Sequence, residues 1–297
     1  MRKIFKIFKM IWLFLRIDKE KLRVDWVEHH FELKSNTPAV VPKKIWIYWQ
    51  SKNASPLVDL SIQQILKLHP EFEVNVLNQQ TILNYIDMPD FSHLNLPIAN
   101  ISDYIRLALL QKYGGIWIDA STFLTENLDW ILSRIHGYDA FLFYSDECTT
   151  IKQKPISENW LIVAPEKSKF INDWFEEFKK CLLSNNPKLY YKNIDFSLLQ
   201  KLSKPDYLLP YISAIVVLDK KDYPILYARS GSVGHYYNYK YNWDGNLIAV
   251  NLLFKDKNKV TVPKLIKFNS SSRKGIEYYL VNKFFLNNSL LGQDFPK

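Results

Sequence analysis

The stretch NISDYIRLALLQKYGGIWIDAST, residues 100–122, holds two carboxylates and a guanidinium at spacings that let them converge. Asp103 and Arg106 are three residues apart and share one face of any helix formed there. Near a helix start, Arg106 can meet a phosphate or a carboxylate. Asp103 can accept hydrogen bonds from sugar hydroxyls, or orient Arg106. The local alternative is a capping aspartate and a surface ion pair worth about 0.3–0.5 kcal/mol. Asp119 follows the apolar run Gly-Gly-Ile-Trp-Ile. A lone buried carboxylate is costly, so it needs a cation, backbone donors or a wet cleft. A divalent ion bridging Asp119 to a diphosphate would satisfy both anions. Alternatively Asp119 caps the next turn with Ser121 and Thr122. A polar pocket at the carboxyl end of a strand is a common ligand position.

These side chains need a strand–helix–strand frame. Residues 44–49 read as a buried first strand, 57–68 as a helix, and Phe72, Val74 and Val76 alternate as a second strand does. That order favours an α/β domain. Asn100 is read as the N-cap of the central helix, with Asp103 completing a variant capping box. Gly114 closes that helix in the left-handed region and Gly115 permits close backbone approach. Residues 116–118 are then a short buried strand. Downstream, 140–144 and 160–163 read as strands, 169–183 and 208–218 as helices, 231–245 as a Tyr/Asn/Gly-rich loop, 262–268 as extended and 275–285 as a closing helix. Trp46 and Trp49 face opposite sides of the first strand. Trp49, beside the polar QSKNAS loop, is the candidate for stacking a nucleotide base; ordinary core packing is the alternative.

The chain has 297 residues, 47% of them hydrophobic, enough for a real core. Its cysteines, Cys148 and Cys181, make neither a disulfide scaffold nor zinc-finger spacing, and a reducing compartment is the easier reading. The net charge of +9 suits an anionic partner, yet no zinc finger, zipper or RNA-binding strand motif occurs, so nucleic acid is not expected. No HExxH pair, GxSxG elbow, GxxxxGK[ST] loop or GxGxxG fingerprint is present, which removes the usual support for hydrolases and kinases.

At the start of the chain, Lys3, Lys6, Lys9 and Arg16 are interspersed with Ile4, Phe5, Ile7, Phe8, Trp12 and Phe14. The pattern resembles a basic amphipathic helix lying on an anionic surface; a helix docked on its own domain is the alternative. The apolar run at 10–15 is far short of the ~20 residues that span a bilayer. Residues 18–41 read as an arm punctuated by Pro38 and Pro42. The parse is therefore a basic segment and arm at 1–40 and one catalytic domain at 41–297. Late in the chain, KLIKFNSSSRKG (264–275) offers Lys264, Lys267, Asn269, Ser270, Ser271, Arg273 and Lys274. Folded back over the cleft, this segment would complete a phosphate site; otherwise it is a solvated basic loop. His235 lies in the 231–245 loop, whose aromatic and amide groups suit a sugar; a solvent-exposed loop histidine is the alternative.

VPKKIWIYWQS at 41–51 and the 100–122 stretch resemble a superfamily of nucleotide-sugar glycosyltransferases. The best match is the capsular-polysaccharide-synthesis subgroup, related to DXD-containing mannosyltransferase-like enzymes and the clostridial glucosylating toxins. The resemblance covers at least 41–130. It implies a GT-A fold, in which a Rossmann-like nucleotide half merges with an acceptor half. It also implies a nucleoside-diphosphate-sugar donor, transfer with retention, and often Mn²⁺ or Mg²⁺. By resemblance, Trp49 stacks the base, Asp103 and Arg106 hold the donor sugar and its phosphate region, and Asp119 is the first aspartate of DXD. Lys267, Asn269 and Ser270 would complete the donor site, and Asp146 and Glu158, near strand ends, with His235, would be the candidates for acceptor contacts. Ser121 stands where the second aspartate belongs and is a weaker metal ligand, so tight metal binding is not implied. The acceptor would be a glycan or lipid-linked glycan of a bacterial surface, handled in the cytoplasm at the inner face of the plasma membrane. Two other readings share these residues: a catalytically silent glycan-binding or scaffold protein of the same fold, and a nucleotidyltransferase.

Overall fold

The computed structural model describes residues 2–35, 40–51, 53–91, 96–203 and 207–295. Pro38, the expected punctuation of the arm, lies outside these residues. A seven-stranded mixed sheet forms the centre, in the order β1-β8-β6-β7-β4-β2-β3. Its strands are β1 (Trp26–His29), β2 (Lys44–Tyr48), β3 (Glu73–Leu77), β4 (Gly115–Ile118), β6 (Ala140–Tyr144), β7 (Ser157–Ala164) and β8 (Ile225–Arg229). Strand β2 runs parallel to both β3 and β4, so the carboxyl ends of these three strands share one edge. Strand β7 enters antiparallel beside β4. A separate two-stranded ribbon pairs β5 (Thr122–Leu124) with β9 (Leu265–Lys267).

Both faces of the sheet are covered, which is why its central strands are apolar on both sides. Trp46, Trp117, Leu142, Ile162 and Tyr227 point to one face, under α3 (Ile98–Tyr113), α5 (Lys169–Leu182) and α6 (Leu209–Lys220). Ile45, Ile47, Ile116, Phe141 and Val163 point to the other, under α2 (Pro56–Leu68) and α4 (Asp129–Leu132). A third cluster joins α1 (Arg2–Leu15), α7 (Tyr236–Lys240), α8 (Gly245–Leu253) and α9 (Ser270–Val281). The expected α/β class, a mixed Rossmann-like sheet flanked by helices, is the observed one.

Four local readings change. Asn100 is not the N-cap of α3: Pro97 holds that position, and the Asn100 amide already donates to its carbonyl at 2.9 Å. The Asn100 side chain instead donates to Tyr207 O at 3.2 Å and faces Asp103. The 231–245 loop is not irregular throughout, since it contains α7 and leads into α8. The closing helix begins at Ser270 because Asn269 and Ser272 form a reciprocal capping box. Within the stretch read as an arm, Trp26–His29 is the edge strand of the main sheet. Of the two glycines, Gly114 does end α3 with a positive φ of 61°, but its ψ of −158° lies outside the left-handed helical region, whereas Gly115 permits the close approach expected of it. Gly115 has φ +96°, and a Cβ there would lie 2.6 Å from Lys44 O, so β4 could not enter beside β2 with a larger residue.

Candidate active site

A cavity of about 820 Å³ opens at the carboxyl ends of β2 and β4. Trp49 reaches it from just past β2, and Asp119 from just past β4. Asp103 and Arg106 enter from the first turns of α3, Asn159 from β7, Tyr207 and Tyr211 from the start of α6, and Arg273 from α9. Parallel strands place their loops on one edge, so residues 70 positions apart meet there.

At the floor, charges alternate. Arg106 donates through one terminal nitrogen to Asp103 Oδ1 at 2.7 Å and through the other to Asp119 Oδ1 at 2.8 Å. Its guanidinium lies 5.0 Å from the Trp117 ring centre, and Trp117 Nε1 also donates to Asp119 Oδ1, at 2.9 Å. Lys267 Nζ reaches Asp119 Oδ2 at 2.9 Å and donates to Ser121 Oγ at 2.9 Å. Asn159 Nδ2 donates to Asp103 Oδ1 at 2.9 Å. Two carboxylates and two cations thus form one connected group, and the expected ion pair is buried and coupled to Asp119. Burial pushes Asp103 up to about 6, against the pull of Arg106. Asp119 also loses water, but Lys267 and Arg106 outweigh that and hold it below the ordinary carboxylate range.

Trp46 is core, fully buried, with its Nε1 donating to Gly114 O at 2.9 Å. Trp49 lines the cavity, and the Arg273 guanidinium sits 5.0 Å from its ring centre. Of the late-segment candidates, Lys267 joins Asp119, whereas the Asn269 side chain is spent capping α9 and Ser270 is exposed. The acceptor candidates sit apart from the cavity lining, in a neighbouring cluster. Glu158 Oε2 accepts from Trp160 Nε1 at 2.6 Å and from Ser230 Oγ at 2.5 Å. His235 Nε2 lies 3.7 Å from Glu158 Oε1, and Asp146 accepts from the Gly231 amide at 3.0 Å. His235 is buried, not a solvent-exposed loop residue; burial holds it neutral, down to about 3, and pushes Glu158 up to about 7. Asn159, Tyr207 and Tyr211 are site residues that motif reading does not find. For Asn159 a signal existed: Ser-Glu-Asn opens an otherwise apolar, fully buried strand.

The two groups expected to hold a metal do not fit a resident divalent ion. Both Asp119 oxygens already accept from cationic donors, and the Ser121 hydroxyl accepts from Lys267 while donating to Phe268 O at 3.0 Å. Among the described residues, no three His, Cys, Asp or Glu side chains group as metal donors.

The family described as capsular polysaccharide synthesis protein matches residues 19–231, and the chain belongs to that family. An O-glycosyltransferase, braB, of Annulohypoxylon truncatum is 29% identical over 170 residues, which is 50% of this chain and 39% of the relative. Inositol phosphoceramide mannosyltransferase 3 of Schizosaccharomyces pombe is 30% identical over 128 residues, 41% of this chain and 36% of the relative. The matched stretches thus span less than half the length of these curated relatives. Among solved structures, the galactosyltransferase LgtC with donor and acceptor sugar analogues is 12% identical, covering 76% of this chain and 86% of that one, with TM-score 0.40. A glycosyltransferase involved in glycosylation of the PBCV-1 major capsid is 7% identical, covering 80% and 97%, with TM-score 0.43.

Proposed function

We propose that this protein is a nucleotide-sugar-dependent glycosyltransferase on a GT-A-like scaffold, acting on a capsular or other surface glycan acceptor. The observation that carries this reading is the convergence of Trp49, the Asp103–Arg106 pair and Asp119 in one open cavity. Its volume falls in the range of small-molecule sites, roughly 300–1,000 Å³. In this reading the base stacks on Trp49, sharing or displacing the Arg273 guanidinium. The sugar lies over Asp103 and Arg106, with the diphosphate running from Asp119 towards Arg273. With retention, the acceptor oxygen attacks C1 on the face from which the diphosphate departs. Family membership and the names of the two curated relatives support the reaction class. Calorimetric titration with UDP-, GDP- and CMP-sugars tests it. One donor should bind, and release of its nucleotide should accelerate with acceptor; no heat with any of the three would sink the reading.

We place the protein in the cytoplasm, attached to the inner face of the plasma membrane through α1. At about 100° per residue, Ile4, Phe8, Ile11 and Leu15 run down the middle of one face, flanked by Phe5 and Trp12 on one side and Ile7 and Phe14 on the other. All eight are exposed. The opposite side docks through Leu13 against α8, and Lys6 pairs with Asp244 at 2.7 Å. The helix is thus held by the domain while its apolar face points away, as an interfacial helix would lie. No helix among the described residues is long and apolar enough to cross a membrane. Phe8→Glu combined with Trp12→Glu is expected to weaken flotation with phosphatidylglycerol vesicles by about tenfold or more. Unchanged flotation rejects the membrane assignment and leaves the transferase reading standing.

A further inference from the structure

We propose that Lys267 is the built-in cation of this site, meeting the charge of the departing diphosphate where related sites would use a divalent ion. The inference rests on the donor reading above. Its basis is a coincidence of position. The two groups that the DXD resemblance assigns to metal, Asp119 and Ser121, both contact Lys267 Nζ, each at 2.9 Å. One carboxylate and one hydroxyl balance one positive charge, whereas two carboxylates balance two. A divalent ion binding Asp119 would have to displace Lys267 or sit against it, with Arg106 on the carboxylate's other oxygen.

The ammonium is held in place from several directions. Lys267 ends β9 and is paired with Thr122, next to Ser121. Its backbone N–H donates to Gly234 O at 2.9 Å, and its carbonyl accepts from Asn238 Nδ2 at 2.8 Å. Its side chain is only 12% exposed, so little rotamer freedom remains to be lost when substrate arrives. An ammonium has three N–H donors. Two serve Asp119 and Ser121, which line the cavity while Lys267 backs them from outside the lining; in this proposal the third reaches a phosphate oxygen bound against those two residues. During transfer, the bond from C1 to the diphosphate oxygen breaks with its electron pair on that oxygen, and the acceptor oxygen bonds to C1. The acceptor proton passes to the departing phosphate, and Lys267 keeps its own proton throughout.

The test is binding of UDP and GDP by calorimetry, in EDTA and in Mn²⁺. Wild type is expected to bind one of them in EDTA within about threefold of its Mn²⁺ affinity. Lys267→Met, of similar length but uncharged, should lose about tenfold or more in EDTA. Lys267→Glu places a second carboxylate beside Asp119 and should bind only with Mn²⁺, a gain that a merely structural lysine would not produce. Thermal unfolding of each variant checks the fold; if a variant fails to fold, the wild-type EDTA-to-Mn²⁺ ratio decides. Wild-type affinity that falls about tenfold in EDTA, or Lys267→Met binding like wild type, overturns the lysine assignment alone. Absence of binding of either nucleotide in both buffers overturns the diphosphate-donor reading and the lysine assignment with it.

Discussion

An Asp119→Asn protein is expected to transfer sugar about 10²–10³-fold more slowly than wild type, the usual loss when a positioned charge is removed from a transition state. Asp119 accepts from three donors: Arg106, Trp117 and Lys267. An amide offers one accepting oxygen, so its NH₂ must point at Lys267 or at the Arg106–Trp117 side. Either orientation sets donors against donors and frees a cation that Asp119 had aimed. The measurement is kcat by nucleotide release, beside the melting temperature of the same preparation. A folded variant turning over within threefold of wild type would remove Asp119 from the chemistry.

Replacing Arg106 with methionine should cost stability first and activity second. Arg106 is 4% exposed and joins Asp103 and Asp119, whose side chains are 11% and 24% exposed. Removing one partner of a buried ion pair costs about 3–5 kcal/mol, because the surviving charge stays buried. Urea unfolding should show that loss. Asp103→Asn in the same background should recover part of it, since burial already favours the neutral form of Asp103. Arg106→Lys should fall between, because a single ammonium lacks the fork that spans Asp103 and Asp119. A loss under about 1 kcal/mol for Arg106→Met would mean that the floor of the cavity is far wetter than its contacts imply.

Local patterns carried much of this site. The diglycine, the apolar strand before Asp119 and the three-residue spacing of Asp103 and Arg106 are short-range signals, and each has a short-range physical cause. Trp46 and Trp49 separate because strand side chains alternate, which residue counting alone reveals. Asn100 misled because asparagine favours caps, while Pro97, three residues earlier, has the fixed φ that suits a helix start; its side chain answers instead to Tyr207, 107 residues away. Asn159 and Tyr211 escaped because strand register and helix docking decide what they face, and neither is encoded in neighbouring residues. Asp146, Glu158 and His235 do cluster in space, yet the β7 register points Glu158 away from the lining that Asn159 joins. The late basic segment was expected over the cleft; that its Lys267 would meet Asp119 and Ser121 together depends on the β5–β9 pairing, a contact about 145 residues apart in sequence.

That pairing also sets an order of events during synthesis. Asp119, Arg106 and Trp49 emerge early, but Lys267 and Arg273 follow by about 150 residues or more. A nascent chain stalled before residue 267 carries an Asp119 balanced by Arg106 alone and a Trp49 without its guanidinium neighbour. Donor affinity should therefore arrive late, as a property of translation nearly finished, so a ribosome-bound intermediate would be folded around its sheet yet blind to sugar nucleotide.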